Sequence, residues 1–165
     1  VNTPIGITLS DVEMQMAIFV GAARHIANAK DGIEHAYGGD PEKGWSMDIE
    51  GAAGEIAVAR WTGIFWNGNI GNKRADDVGN LQVRTTCWHN GHLLLHKPDK
   101  GDKAFVLVTG FAPNLIIRGW LWGYEGKRED LWRELPGRQR PAFCVPQSSL
   151  YPMSSLDFVA ARKRP

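Results

Sequence analysis

Apolar and polar residues recur along this chain with two different periods. From position 12 to about 30 the apolar residues come back every three or four positions, with Val12, Phe19, Val20, Ala23, Ile26 and Ala27 forming a stripe. Ser10 and Glu13 stand three apart at its start, a capping box in which each side chain satisfies the other's backbone donor. The pattern predicts a helix from Ser10 to about Lys30. Positions 31–44 are rich in Gly, Asp and Pro and predict a loop. A second helical period runs from about Ser46 to Thr62. It carries Ile49, Ala52, Ala53, Ile56 and Ala57 on one side, and Gly63 is its stop. Gly51 and Gly54 lower intrinsic helix stability, which implies close approach of a neighbour there.

Beyond position 62 the dominant period is two. Ile64-Phe65-Trp66 predicts a short strand, and Val78 to about His89 a longer one. On the longer strand Leu81 and Val83 face one way, Gln82 and Arg84 the other. Asn90-Gly91 is a two-residue hairpin signal, so His92 to His96 is expected to return beside that strand. After a polar turn over Asp99–Lys103, Ala104 to Thr109 and Leu115 to Tyr124 predict further strands. Gly126 to Pro141 is charged and rich in breakers, with a short helix expected near Glu129 to Leu135. Phe143-Cys144-Val145 reads as an edge strand ended by Pro146, and a last short helix is expected around Ser155 to Ala161. Two helices, a run of strands and a mixed tail make an α+β plan. At 165 residues the chain is expected to form one domain, with its core at about 46–124 and an extension over 125–165.

Composition adds a few exclusions. An apolar share of 43% with 22% charged residues excludes a disordered chain. The net charge of +1 says nothing about partners, but its distribution does. Arg118, Lys127, Arg128, Arg133, Arg138, Arg140, Arg162, Lys163 and Arg164 load the last third with cations, which suits nucleic-acid contact. Arg162 to Arg164 read equally well as a solvated end. Cys87 and Cys144, the two cysteines, exclude a disulfide scaffold and point to a reduced, cytoplasmic setting. No stretch has the length of a membrane span, and no secretion leader is expected.

The densest chemistry lies at Asp76-Asp77-Val78-Gly79-Asn80 and the run Leu81-Gln82-Val83-Arg84-Thr85-Thr86. Acids at a turn are often local backbone acceptors. Here a carboxylate at a strand end is followed by an amide and a cation on one face. Glu55 offers a second carboxylate on a helix whose Gly and Ala neighbours would let it approach the sheet; Glu50 is its rival. Hard oxygen ligands beside a fixed cation suit a divalent-metal site that cuts phosphodiesters.

Gly54-Glu55-Ile56-Ala57, then Asp77-Val78-Gly79, then Gln82-Val83-Arg84-Thr85 resembles the PD-(D/E)XK, restriction-endonuclease-like nuclease superfamily, in particular its small phage and prophage members. The resemblance implies an α/β/α-like fold with a mixed, largely antiparallel central sheet flanked by helices. It implies that Asp77 and Glu55 hold Mg2+ or Mn2+. Gln82 takes the place of the variable acid, Arg84 that of the lysine, and the Val83 carbonyl faces the ion. Gln82 keeps an oxygen for a hard cation. Arg84 stays protonated and cannot be a general base, though it can stabilise a phosphate. The expected activity is phage-type, metal-dependent DNA cleavage. The alternative is a catalytically inactive nucleic-acid-binding module on the same fold, motivated by Gln82 and Arg84. Cutting both strands of a duplex would call for two copies.

Other candidates surround this motif. Thr85 and Thr86 could donate to a phosphate oxygen, although threonines are also simply good strand formers. Trp120, Trp122 and Tyr124 alternate on one strand behind Arg118, a stacking platform for nucleic acid or a sheet face covered by the C-terminal segment. The second reading is preferred. Cys87, His89, His92 and His96 are zinc-type ligands, but no matching half-site exists elsewhere. They are expected near nucleic acid or solvent.

Overall fold

The computed structural model describes residues 2–32, 43–72, 75–135 and 140–157. Strand β1 (Ile5–Thr8) leads into helix α1 (Asp11–Lys30), and helix α2 (Gly44–Thr62) follows. Strands β2 (Leu81–Thr86), β3 (Leu93–Leu95), β4 (Ala104–Phe111) and β5 (Asn114–Trp122) come next, then a single helical turn α3 (Gly123–Gly126). Two short strands, β6 (Trp132–Arg133) and β7 (Ala142–Val145), complete the set. The fold is α+β, as the sequence implies. No helix among the described residues is long and apolar enough to cross a membrane.

One sheet has the order β1-β5-β4-β2, antiparallel except for the parallel pair β2/β4; a second has the order β3-β7-β6. Strand β4 explains the layering. Ala104, Val106 and Val108 face one way into a core with Ala52, Ala53, Ile56 and Ala57 of α2. Phe105 and Leu107 face the other way into a second core with Leu93, Leu95 and Val145. The first face of the main sheet is therefore covered by α2, with α1 packed on α2. The other is covered by the small sheet and α3, not by a second layer of long helices.

The capping box at Ser10 forms: Glu13 N–H donates to Ser10 Oγ at 3.3 Å, and Ser10 N–H to Glu13 Oε2 at 2.7 Å. Gly63, left-handed at φ 67°, ends α2. The predicted stripe of α1 is met only in part: Val20 is buried and Ala23 and Ala27 are half-buried. Val12, Phe19 and Ile26 are exposed, and the buried positions are Ala17, Val20 and Gly21. The reason is the close crossing of α1 and α2, where a Cβ at Gly21 would lie 2.5 Å from the Ile49 Cα. Such an approach selects small residues, so the largest apolar side chains point away.

The hairpin expected at Asn90-Gly91 does not form. The turn exists, with Gly91 N–H donating to the Trp88 carbonyl at 2.9 Å, but β3 pairs with β7 instead of β2. Strand β2 stops at Thr86, short of His89. Phe143-Cys144-Val145 lies in β7, which is the central strand of its sheet and not an edge. Ile64-Phe65-Trp66 forms no strand, and β1 has no counterpart among the sequence expectations. A 3-10 turn at Glu129–Leu131 takes the place of the short helix expected there. Another covers Met153–Ser155, while residues 158–161 of the expected last helix lie outside the described residues, as do Arg138 and Arg162 to Arg164.

Candidate functional site

Strand β2 is an edge strand, and its outer backbone groups need partners. The turn at residues 76–80 supplies them. Asp77 N–H donates to the Leu81 carbonyl at 3.0 Å, and Leu81 N–H donates to the Val78 carbonyl at 2.9 Å. The next outward group, Val83 N–H, donates to Asp77 Oδ2 at 2.7 Å. The Asp77 carboxylate therefore lies along the open edge of β2. Its pKa is pushed up to about 6, chiefly by burial and then by the charge of Glu55. The Val83 N–H and the charges of Arg84 and Arg24 pull the other way.

Glu55 reaches this edge from the buried face of α2 and is 6% exposed. Its charge is met by a fork: Arg24 Nη1 donates to Oε1 at 2.6 Å and Nη2 to Oε2 at 2.9 Å. Trp66 Nε1 donates to Oε2 at 2.8 Å. Arg24 is itself anchored through Nε on the Asn69 carbonyl at 2.8 Å. Close approach of α2 to β2 makes this possible. A Cβ at Gly54 would lie 2.0 Å from Thr85 Oγ1, so only glycine fits next to Glu55. Gly51, the other glycine expected to permit such packing, faces open space.

Gln82 and Arg84 share a face, as alternation requires, but it is the face opposite Leu81 and Val83. Gln82 Nε2 donates to Asp76 Oδ1 at 2.8 Å, and Lys103 Nζ holds the other oxygen of Asp76 at 2.5 Å. Arg84 lies over the Phe105 ring, its Cζ 5.1 Å from the centroid, and its Nη2 donates to Asp99 Oδ1 at 3.0 Å. Glu55 thus stands on the helix side of the edge, Asp77 along it, and Gln82 and Arg84 beyond it. A polar pocket of about 190 Å³ joins Arg24, Asn28, Asp48, Asn69, Asn72, Asp77 and Gln82. Arg84 opens instead into a cleft of about 890 Å³ with Thr86, Trp88, His89, His92 and His96. Asp48 lines both spaces.

Two residues expected to touch nucleic acid are partly taken up by the protein itself. Thr85 lines the cleft, but its hydroxyl is buried near Gly54 with no hydrogen-bond partner. Arg118 is 8% exposed; its Nε donates to Thr109 Oγ1 at 2.7 Å and its Nη2 to His89 Nδ1 at 2.8 Å. Burial lowers its pKa. Thr86 lines the cleft as well. Trp120 is 7% exposed, and its Nε1 donates to the Pro152 carbonyl and to Ser155 Oγ. The C-terminal segment covers Trp120, as the second reading has it, whereas Tyr124 lies in α3 and is 63% exposed. Cys87, His89, His92 and His96 do not assemble: no group of three or more His, Cys, Asp or Glu able to hold a metal occurs among the described residues.

Arg24, Trp66, Asp48 and Asp99 were not singled out from the sequence. Arg24 carries a visible signal, a cation directly after the apolar run from Met16 to Ala23. Asp48 stands seven residues before Glu55, two helical turns away on the same side of α2. In comparisons with known proteins, no family model matches the chain, and neither a curated protein nor a solved structure matches it significantly.

Proposed function

We propose that the chain is a restriction-endonuclease-like, phage-type nuclease that hydrolyses phosphodiester bonds of DNA with the help of a divalent cation in a cytoplasmic setting. The observation that carries this reading is the Asp77 carboxyl, held at the open edge of β2 beside Glu55 with its pKa raised to about 6. Burying one carboxyl next to another is costly and marks sites that bind cations or move protons.

The donor set suits Mg2+ or Mn2+, since every available ligand atom is an oxygen. A carboxylate has about four lone-pair sites. Asp77 spends one on Val83 N–H, whereas Glu55 spends three on Arg24 and Trp66. Asp77, the Gln82 amide oxygen and the Val83 carbonyl would hold the ion, with Glu55 contributing its remaining site. Once bound, it would supply Lewis-acid polarisation of a phosphoryl oxygen.

The side chains supply the rest. Glu55 fixes Arg24 and raises the proton affinity of Asp77. Arg84, anchored by Asp99, offers a permanent positive charge to a developing phosphorane. The cleft beyond it, with Thr86, Trp88 and the histidines, gives the strand a path that combines a cation with an exposed ring.

A second reading is favoured by a specific observation. Arg24 neutralises Glu55, and Arg84 stands where a titratable lysine is expected, so the site also suits a nucleic-acid-binding module without catalysis. Plasmid nicking by the purified chain in Mn2+, with Asp77→Ala as control, separates the two. Nicking lost in Asp77→Ala supports the nuclease. Binding without nicking supports the module. Neither binding nor nicking overturns both.

A further inference from the structure

We infer that the cleft beyond Arg84 takes unpaired DNA, so that the substrate class of the proposed site is a single strand and not a duplex. The inference rests on the nucleic-acid reading above and names what that site holds.

Rings are concentrated on one turn at the mouth of the cleft. Trp88 is 72% exposed, and His89 and His92 are exposed beside it. The backbone that carries them is fixed. Gly91 N–H donates to the Trp88 carbonyl at 2.9 Å. Gln147 Nε2 donates to the His89 carbonyl at 2.8 Å and to the Gly91 carbonyl at 2.9 Å. A Cβ at Gly91 would lie 2.5 Å from Thr86 Cγ2, so the turn is pressed onto the end of β2. Behind the rings the cleft wall includes the apolar Met47, Leu94 and Leu107. Rings and apolar walls take the faces of bases, which are within reach only where the two strands are apart. A duplex keeps those faces in its stack and turns its phosphates to a protein surface instead.

The charges do not suit a duplex. Apart from its imidazoles, the ionisable groups lining the cleft with formal charge at neutral pH are Arg84 and Asp48. Arg84 Nη2 is held by Asp99 Oδ1 at 3.0 Å, and Asp48 Oδ2 lies 3.0 Å from His25 Nδ1. Arg118 stands behind His89, 8% exposed, with Nη2 donating to His89 Nδ1 at 2.8 Å. Next to Asp99, Lys127 Nζ donates to the Lys97 and Asp99 carbonyls, and Lys97 Nζ lies over the Trp132 ring at 4.8 Å. With the imidazoles neutral, Arg84 and Arg118 are balanced by Asp48 and Asp99, and the two lysines add cations at one end alone. Duplex binding draws its strength from several phosphates neutralised along a surface. One guanidinium beside an exposed indole is instead a stacking platform with a single backbone anchor.

The test is fluorescence anisotropy of the full chain in Ca2+, with a labelled oligothymidylate strand and a labelled duplex of equal length as probes. The strand is expected to bind at least about tenfold tighter than the duplex. Trp88→Ala is expected to weaken strand binding about tenfold, with the weaker duplex binding and the circular dichroism spectrum unchanged. Trp88→Phe keeps a ring and should recover most of the loss. Duplex binding as tight as strand binding, or strand binding untouched by Trp88→Ala, overturns the inference and leaves the nuclease reading to be judged by plasmid nicking in Mn2+. Binding of neither probe also overturns it, and the nucleic-acid reading falls with it when the plasmid is not nicked either.

Discussion

Arg24 grips Glu55 with both arms of its guanidinium, at 2.6 and 2.9 Å, and so ties α1 to α2 across the helical layer. The pair is largely removed from water, with side-chain exposures of 20% and 7%. A buried pair of this kind adds little net stability, but breaking it is costly because one charge is left alone. Arg24→Met is therefore expected to destabilise the fold by about 3–5 kcal/mol in urea denaturation. Arg24→Met/Glu55→Gln should recover much of that loss. If the double variant is no more stable than Arg24→Met, the guanidinium acts chiefly through its bond to the Asn69 carbonyl.

Asp77 gives the stability a defined pH dependence. Its folded pKa, about 6, lies above the ordinary value of 3.8. Between those values the folded state holds a proton that the unfolded state has released. The carboxyl thus favours folding fully below about pH 4, and that contribution disappears as pH rises through 6. At about 1.4 kcal/mol for each tenfold change in proton affinity, the ceiling is ~3 kcal/mol. Asp77→Asn should flatten the profile between pH 4 and 6 and raise the melting temperature at pH 7.5. A parallel pair of profiles for wild type and variant would show that Asp77 titrates normally.

The meeting of α2 and β2 can be tested without touching any charge. Gly54→Ala forces a Cβ onto Thr85 Oγ1, so the helix must retreat, at a cost of about 1–3 kcal/mol. Thr85→Ala alone is expected to be mild, because the Thr85 hydroxyl is already buried without a partner. Combining the two should recover stability, a coupling that a thermodynamic cycle measures directly. Strict additivity would mean that the two residues do not share this contact.

These relationships were unequally legible in the sequence. The capping box, the extent of both helices and the Gly63 stop are local, and local chemistry decides them. Which face of α1 is buried was not local. Phe19 and Val12 outweigh Gly21 by any measure of hydrophobicity, yet the helix crossing needs the glycine, so a size-ranked stripe finds Val20 but misses Ala17 and Gly21. The pairing of β3 was also out of reach, since Asn90-Gly91 makes a turn wherever it stands, and β7 lies some fifty residues further on. At the candidate site, Glu55 and Asp77 stand out as acids on a small-residue helix and at a strand end, and Gln82 by its place on the strand. Their cations do not. Arg24 meets Glu55 from a different helix, and Asp99 meets Arg84 from beyond the small sheet's first strand. The burial of the Thr85 hydroxyl and of Arg118 is out of reach for the same reason: strand alternation gives a side and not what covers it.

Arg84 is where binding and catalysis part. Its guanidinium is fixed by Asp99 and by the Phe105 ring, so it presents one charge to the cleft at a set position. Arg84→Lys keeps the charge but loses the planar stack and part of the Asp99 contact. It is expected to retain DNA binding within about threefold and, if the chain cuts DNA, to keep measurable nicking. Arg84→Ala removes the charge. His96 N–H still donates to Asp99 Oδ2 at 2.9 Å, so the loop around Asp99 should remain in place. Binding measured in Ca2+ should then weaken about tenfold or less, with the salt dependence reduced by about one phosphate contact. Nicking in Mn2+ should fall by about a hundredfold, the scale on which a lost transition-state contact acts. Equal losses in binding and nicking would assign Arg84 to holding the strand alone. A nicking loss far larger than the binding loss would place its charge at the scissile phosphate.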